Sequence, residues 1–183
     1  MSLVRISPPE FDVILEIAYA TSNNFTGAPV YKKPDCYLHS VAAEHLRNAI
    51  SYAKGMGYKL KIFDAYRPTE AQFALWEHTP DPSFLANPHS GSPHSRGVAI
   101  DLTLVDENGK EIDMGTEFDA FTPKSFHSDT SISSEAQRNR RILLGIMTAA
   151  GWDFYNNEWW HYQLFNPRAY RLISDKELGS VMM

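Results

Sequence analysis

The stretch GSPHSRGVAIDLTL, residues 91–104, decides how the rest of the chain is interpreted. Its first half is rich in Gly, Ser and Pro and predicts a turn, whereas the apolar run VAIDLTL predicts a buried strand. Asp101 lies inside that run, where a carboxylate is costly unless it is paired or bound to a metal. His94 lies just before the strand, and Gly97 lets the backbone approach closely. Spacing alone leaves two interpretations open, a buried Asp–His hydrogen bond and a metal site.

A second stretch, EWWHY at residues 158–162, supplies what a metal site would need. Taken alone, it reads best as a pair of core tryptophans with a polar rim. In a twisted or bulged strand, however, Glu158 and His161 can reach one cavity. Catalytic zinc takes three nitrogen or oxygen ligands from the protein and leaves the fourth position to water. Both stretches together therefore favour one zinc ion per chain bound by His94, Asp101 and His161, with Glu158 as the general base.

Two further stretches carry charges in unusual settings. DAYRP, residues 64–68, places Arg67 where a strand gives way to a helix. Such an arginine is usually part of a surface salt bridge, but it is also the residue type that stabilises a tetrahedral oxyanion beside a metal. MGTEFDAF, residues 114–121, places Asp119 between two phenylalanines, a setting that suits the capture of a substrate ammonium group.

The periodicity of apolar residues predicts an alternation of strands and helices. Two of the strand pairs look like hairpins, which favours an α+β fold, with one mostly antiparallel sheet packed against helices and the zinc site at the sheet. The predicted elements are a first strand within 10–19, a helix over 40–57, a strand over 58–66, a helix over 67–79, a strand, Asn-Gly turn and returning strand over 97–113, a helix over 134–151, and a hairpin over 152–164 whose second strand begins near Glu158.

Composition narrows the class of protein. The 183 residues are enough for one hydrophobic core, and 43% hydrophobic with 21% charged residues is ordinary for a globular domain. A net charge of −5 without a basic run speaks against nucleic acid or an anionic membrane as partner. The single cysteine, Cys36, excludes an internal disulfide and a Cys-rich zinc site. No signal peptide or membrane span is visible, so we expect a cytoplasmic protein.

The motifs resemble a known family. The segments SPHSRGVAIDLTL and EWWHYQL are similar to those of the D-alanyl-D-alanine dipeptidases, zinc peptidases that include the vancomycin-resistance dipeptidase and its cytoplasmic bacterial relatives. The Ser-x-His-x6-Asp element alone is shared with D,D-carboxypeptidases, endolysins and hedgehog domains. Its combination with DAYRP, MGTEFD and EWWHY is more specific. The similar segments, in the family's order, are YATSNNFTG, FDAYRP, LWEHTPDP, HSRGVAIDLTL, MGTEFD, AQRNRRILLGIM and EWWHYQL.

The resemblance implies a fold like that of hedgehog domains and D,D-peptidases, and a role for each matching residue. Residues 1–183 would form a single zinc dipeptidase domain that hydrolyses D-alanyl-D-alanine to two D-alanines in cell-wall metabolism. The partner would be the small dipeptide, with a homo-oligomer left open. The implied roles are zinc ligation by His94, Asp101 and His161, general base catalysis by Glu158, oxyanion stabilisation by Arg67, and dipeptide binding by Tyr19, Ser92 and Asp119.

Two alternatives remain at this point. A peptidoglycan D,D- or L,D-carboxypeptidase or endopeptidase would share the metal site but need an open cleft and usually export. A non-catalytic zinc-binding module, as in hedgehog-like domains, would need neither Glu158 nor Arg67. Metal content together with amino-acid release from D-Ala-D-Ala distinguishes these possibilities.

Overall fold

The computed structural model describes residues 3–179 and 181–183. These residues contain strands and helices in an order close to the predicted alternation, and a short 3-10 helix at His94–Arg96 precedes the central strand. In chain order the strands and α-helices are β1 (Leu3–Arg5), β2 (Val13–Leu15), β3 (Tyr37–His39), α1 (Ser40–Gly55), β4 (Lys59–Asp64), α2 (Thr69–His78), β5 (Ala99–Val105), α3 (Ser134–Ala149), β6 (Asp153–Phe154) and β7 (His161–Gln163).

Five of the strands form one sheet in the order β2-β4-β5-β7-β6, and β1 pairs separately with β3. Strand β2 runs parallel to β4, whereas the other three pairs of the five-stranded sheet are antiparallel. The predicted α+β class with a mostly antiparallel sheet is therefore confirmed.

Strand β5 lies at the centre of the sheet, and all of its residues are buried. Ile100 and Leu102 belong to the hydrophobic core. Since side chains alternate along a strand, Asp101 points to the opposite face. The strand register sets Asp101 beside Asp64 on β4 and beside His161 on β7. The sheet itself thus brings three titratable side chains from distant parts of the sequence together.

The two longest helices begin at capped N-termini and pack against the sheet. His39 Nδ1 accepts a hydrogen bond from the Val41 N–H at the start of α1, and Ser133 Oγ accepts one from the Ala136 N–H at the start of α3. Helix α1 contacts both α3 and β4, and both helices bury their apolar side chains. Among the residues that the structure describes, no helix has the length and apolar character needed to cross a membrane.

The strand predicted to return after the Asn-Gly turn is wrong. Asp106 Oδ1 accepts hydrogen bonds from the N–H groups of Asn108 and Lys110, so the loop satisfies its own polar groups. The pairing continues only as one isolated bridge between Val105 and Glu111. Two backbone hydrogen bonds close this turn, from the Asp106 N–H to the Lys110 carbonyl and from the Ile112 N–H to the Leu104 carbonyl, but they do not extend into a strand.

The hairpin predicted over 152–164 is formed by β6 and β7, but its second strand begins at His161 and not near Glu158. Glu158 instead lies in the turn, where its carbonyl accepts the N–H of His161. The N–H of Trp159 donates to the Ser125 carbonyl, outside the sheet. This contact holds Trp159 outside the ladder, so Glu158 approaches the site from a turn, whereas the Trp160 carbonyl already accepts the N–H of Leu102 on β5.

Gly97 ends the 3-10 helix that carries His94. Its φ is +68°, in the left-handed region that favours glycine. A Cβ at this position would lie 2.7 Å from Leu3 Cδ2 and 3.1 Å from the His39 backbone nitrogen. The His39 N–H also donates to the Gly97 carbonyl at 2.7 Å. The turn that presents His94 is therefore packed directly against β1 and β3.

We expect Gly97→Ala to lower the free energy of unfolding by about 1–2 kcal/mol, because an L-residue is disfavoured in the left-handed region. Gly145→Ala is the matched control, since Gly145 lies in α3 with nothing within 4 Å of an added Cβ. The control should raise stability by about 0.5–1 kcal/mol, the helix preference for alanine. Urea denaturation of both variants measures the effects, and destabilisation of equal size in both would contradict this account of Gly97.

Candidate metal centre and active site

A cavity of about 250 Å³ opens over the edge of β5 and β7. It is smaller than the roughly 300–1,000 Å³ of sites for drug-sized ligands, so it suits a small molecule. The structure brings every candidate site residue of the sequence analysis to the wall of this one cavity. These residues are Tyr19, Arg67, Ser92, His94, Asp101, Asp119, Glu158 and His161.

Three buried side chains form a group that could hold a metal ion. One ligand atom from each of His94, Asp101 and His161 lies within 4.8 Å of the other two. His94 Nε2 is 3.1 Å from His161 Nδ1. Asp101 Oδ1 is 3.2 Å from His161 Nδ1, and Asp101 Oδ2 is 3.4 Å from His94 Nε2. Within the residues that the structure describes, this is the one such group of three or more ligand side chains.

Hydrogen bonds behind the two imidazoles fix which nitrogen faces the group. His94 Nδ1 lies 2.7 Å from the Ala65 carbonyl, which can only accept, so Nδ1 carries the proton and the Nε2 lone pair faces inward. His161 Nε2 lies 3.1 Å from Gln163 Oε1 and donates to it, which leaves the Nδ1 lone pair facing His94. Two lone pairs and a carboxylate thus converge without a donor between them.

A cation between these atoms would remove the repulsion. The donor set of two imidazole nitrogens and one carboxylate suits zinc, and outer hydrogen bonds of this kind are usual behind metal-binding histidines. A proton on an imidazole can take the place of that cation: although burial acts in the opposite direction, charged His94 and His161 hold the pKa of Asp101 below its usual range. Burial alone would lower the pKa of His161, but the Asp101 carboxylate outweighs this effect, so the pKa of His161 is raised.

Glu158 stands next to this group without belonging to it. Its side chain is buried, and Oε2 lies 3.7 Å from His161 Nδ1. Burial raises the pKa of Glu158 to about 8. The turn that carries it is anchored on the far side, where Trp159 Nε1 donates to Thr116 Oγ1 at 2.8 Å. A rigidly held carboxyl with a near-neutral pKa is suited to accept and release a proton.

Arg67 is buried in the cavity wall, so the surface salt-bridge alternative does not describe it. Its Nε donates to Asp64 Oδ2 at 2.8 Å, and Nη1 donates to Gln72 Oε1 at 3.0 Å. Its Nη2 lies 3.5 Å from Asp101 Oδ2. The guanidinium carbon lies 5.0 Å from the ring centre of Tyr19. These contacts orient the guanidinium and leave Nη2 directed toward the metal-ligand group.

Asp119 has one oxygen free in a buried position. Tyr19 Oη donates to Asp119 Oδ1 at 3.1 Å, whereas Oδ2 is buried and has no hydrogen-bond partner. Its φ of +59° places the residue in the left-handed region. Burial raises the pKa of Asp119 to about 8. An unpartnered carboxyl oxygen at the wall of a cavity is a place for a donor supplied by a ligand.

Ser92 has a more local role in the structure. Its Oγ accepts a hydrogen bond from the His94 N–H at 3.2 Å, and its side chain is buried in the cavity wall. This bond helps to set the start of the 3-10 helix on which His94 lies.

Sequence reasoning missed three residues that hold the candidate site in place. Asp64 and Gln72 orient Arg67, and Gln163 orients His161. The sequence did carry one signal for Asp64, which is an acidic residue at the end of a buried strand. It precedes Arg67 by three residues, the same spacing that separates Glu158 from His161. For the two glutamines no pattern in the sequence identifies the bond, although Gln163 follows His161 by only two residues and Gln72 follows Arg67 by five.

Comparison with known proteins agrees with the resemblance. The Peptidase_M15 family model, described as D-ala-D-ala dipeptidase, matches residues 3–176. The chain is 43% identical over 165 residues to the D-alanyl-D-alanine dipeptidase of Escherichia coli K12, covering 90% of this chain and 86% of that protein. It is 35% identical to the protein of the same name from Enterococcus faecalis V583, covering 81% and 84%. Among solved structures, a zinc complex of a vancomycin-resistance D,D-pentapeptidase gives a TM-score of 0.47 at 16% identity, covering 88% and 84%.

We expect Gln163→Ala to weaken zinc binding about 10- to 100-fold, the usual effect of removing an outer partner of a ligating histidine. The physical reason is that His161 then loses the acceptor that keeps Nδ1 free of a proton. Competition with a chelating dye measures the affinity. Gln137→Ala is the matched control, because Gln137 is also half-buried but bonds to loop carbonyls far from the cavity. Equal zinc affinity in parent and Gln163→Ala proteins would contradict the assigned tautomer.

Proposed function

The chain belongs to the D-Ala-D-Ala dipeptidase family of the M15 peptidases, and from this premise we propose that it hydrolyses D-alanyl-D-alanine to two D-alanines at a zinc ion. Residues 1–183 act as one zinc dipeptidase domain, with one zinc held by His94, Asp101 and His161. The observation that carries the proposal is the small cavity where these three ligands, a separate buried carboxyl and an unpartnered carboxyl oxygen converge.

Bond cleavage requires a nucleophile and a proton carrier. A zinc ion in this position supplies Lewis acidity, which polarises a carbonyl group and makes water more acidic. Glu158 accepts a proton from the attacking water as its oxygen bonds to the scissile carbonyl carbon. When the C–N bond breaks, Glu158 delivers that proton to the leaving amine. Its position supports this role, because Oε2 lies 3.7 Å from His161 Nδ1 while Glu158 stays outside the three-ligand group.

Binding of the dipeptide is assigned to the groups around the ligands. Arg67 donates to the oxyanion that develops on the carbonyl, since its permanent charge and fixed orientation match that role. The free oxygen of Asp119 accepts from the substrate ammonium group, and Tyr19 holds Asp119 in place. Ser92 completes the contacts to the dipeptide from the turn that carries His94. The partner is a small molecule, and the proposed setting is cell-wall dipeptide metabolism.

The alternatives fit the same site less well. A peptidoglycan carboxypeptidase or endopeptidase needs a cleft that accepts a long chain, whereas this cavity is small and ends at buried carboxyl groups. A non-catalytic zinc module has no use for a buried glutamate beside the ligands or for a buried arginine aimed at them. The dipeptidase is therefore the function that these side chains support best.

We expect Glu158→Gln to lose dipeptide hydrolysis by about 10²–10⁴-fold, the usual contribution of a general base, while it keeps zinc and the native fold. Glutamine preserves the shape of the side chain but cannot take up a proton from water. D-Alanine release from D-Ala-D-Ala, zinc content and thermal unfolding are measured on the same samples. Glu107→Gln, in an exposed turn, is the matched control and should retain all three properties.

The outcomes of this experiment separate the possibilities. Loss of zinc in Glu158→Gln would make Glu158 a ligand, and wild-type turnover would place the proton carrier elsewhere. A zinc-loaded parent protein that never cleaves D-Ala-D-Ala or a related dipeptide would support the binding module and contradict the proposed function.

We expect Asp119→Asn to lower kcat/KM for free D-Ala-D-Ala roughly 10- to 100-fold, the worth of a hydrogen bond between charged groups. The effect on N-acetyl-D-Ala-D-Ala should be much smaller, because that peptide has no ammonium group for Asp119 to bind. Steady-state kinetics on both peptides measures the difference, with Asp129→Asn as control, since the half-buried side chain of Asp129 bonds only to Ser131 in its own loop and does not line the cavity. Equal losses on the two peptides would assign Asp119 a structural role instead.

A further inference from the structure

Residues 82–86 form a roof over the cavity that the proposed reaction does not use. Four of these residues line the cavity, and their contribution is apolar except for backbone groups; they are Pro82, Phe84, Leu85 and Ala86. Leu85 is buried, and its N–H donates to the Asp81 carbonyl at 2.8 Å. The roof is thus an ordered part of the cavity wall, although it lies in a loop.

Both ends of the roof are attached to parts of the candidate active site. The Ser83 carbonyl accepts hydrogen bonds from Tyr155 Oη and from Asn157 Nδ2, each at 3.1 Å. These two residues belong to the turn that presents Glu158. At the other end, the Ala86 carbonyl accepts from Gln72 Nε2 at 2.8 Å. The roof therefore spans the cavity between the Glu158 turn and the side chain that orients Arg67.

Phe84 closes the roof on the side of Asp119. Its ring stacks on Phe121 with the centroids 4.8 Å apart and an angle of 4° between the planes. Phe121 follows Asp119 by two residues, and both line the cavity with Phe84. Phe121 in turn packs against Phe25 at 4.8 Å, and Phe84 against Phe126 at 6.1 Å. Stacked aromatic rings and Asp119 thus belong to the wall of the same cavity.

We propose that Phe84 determines the substrate length at the amino end: its ring occupies the space that an N-terminal extension of the dipeptide would need. This inference rests on the proposed function, in which Asp119 receives the substrate ammonium group. Asp119 gives a free amino group a reason to bind, and the Phe84–Phe121 stack gives an extended peptide no room. Charge and shape then select the same substrate by separate means, which allows them to be tested separately.

The test compares two substrates in zinc-loaded parent and variant proteins. The ratio of kcat/KM for N-acetyl-D-Ala-D-Ala to that for free D-Ala-D-Ala is measured in each. The missing ammonium group lowers this ratio in every protein, so a change between proteins reports the roof. We expect Phe84→Ala to raise the ratio about tenfold or more, in the range that shape discrimination by apolar pockets reaches. Phe84→Leu should raise it less.

Controls make the outcome decisive. Phe165→Ala removes a phenylalanine ring that is 66% exposed and does not line the cavity, and it should leave the ratio unchanged. If Phe84→Ala does not fold, as judged by thermal unfolding, Phe84→Leu decides by the same criterion. An unchanged ratio in a folded, active Phe84 variant would overturn the role of Phe84 and leave the dipeptidase function intact. A parent protein that cleaves both peptides equally well would overturn the role of Phe84 and also the assignment of the substrate ammonium group to Asp119. A parent that cleaves neither peptide would instead contradict the proposed function, and this inference would fall with it.

Discussion

Asp101 is held by the central strand among buried residues, and its negative charge has to be balanced by groups that reach it from other segments. His94 arrives from the turn before the strand, His161 from the neighbouring strand β7, and Arg67 from the end of β4. The register of the sheet decides one of these approaches directly, since it pairs Asp101 with His161, and it also pairs Asp101 with Asp64, which holds Arg67. Because a buried carboxylate is unfavourable unless it is paired, the other groups of the site are positioned around Asp101.

A second layer of contacts turns this balance of charge into a defined geometry. The Ala65 carbonyl and Gln163 hold the imidazoles with their lone pairs inward, and both belong to or adjoin strands of the sheet. Asp64 and Gln72 hold the guanidinium of Arg67 in the same way. Groups that must act on a reacting centre are effective when their orientation is set before the substrate arrives, and here the sheet sets most of it.

The sequence predicted the features that are local and left out those that depend on distant contacts. Apolar periodicity located β4, β5 and the three α-helices to within a few residues, and an aspartate out of place in a strand pointed to the candidate site. The three-residue pairing of β1 with β3 was not predicted, because so short a run has no recognisable period. The Asn-Gly turn is present, but the strand predicted after it shrinks to one bridge, because Asp106 binds the N–H groups of its own loop. Gln72 and Gln163 are informative only once their partners are known.

Gln72 links two parts of the molecule that would otherwise be independent. Its carbonyl oxygen accepts from Arg67 while its amide nitrogen donates to Ala86, so a single planar group is shared by the guanidinium and the loop above the cavity. A variant that moves this loop outward to admit larger molecules also pulls on the partner of Arg67. A change that broadens the range of substrates by moving this loop therefore also lowers turnover by releasing Arg67. Both properties improve together only if another side chain replaces the hydrogen bond between Arg67 and Gln72.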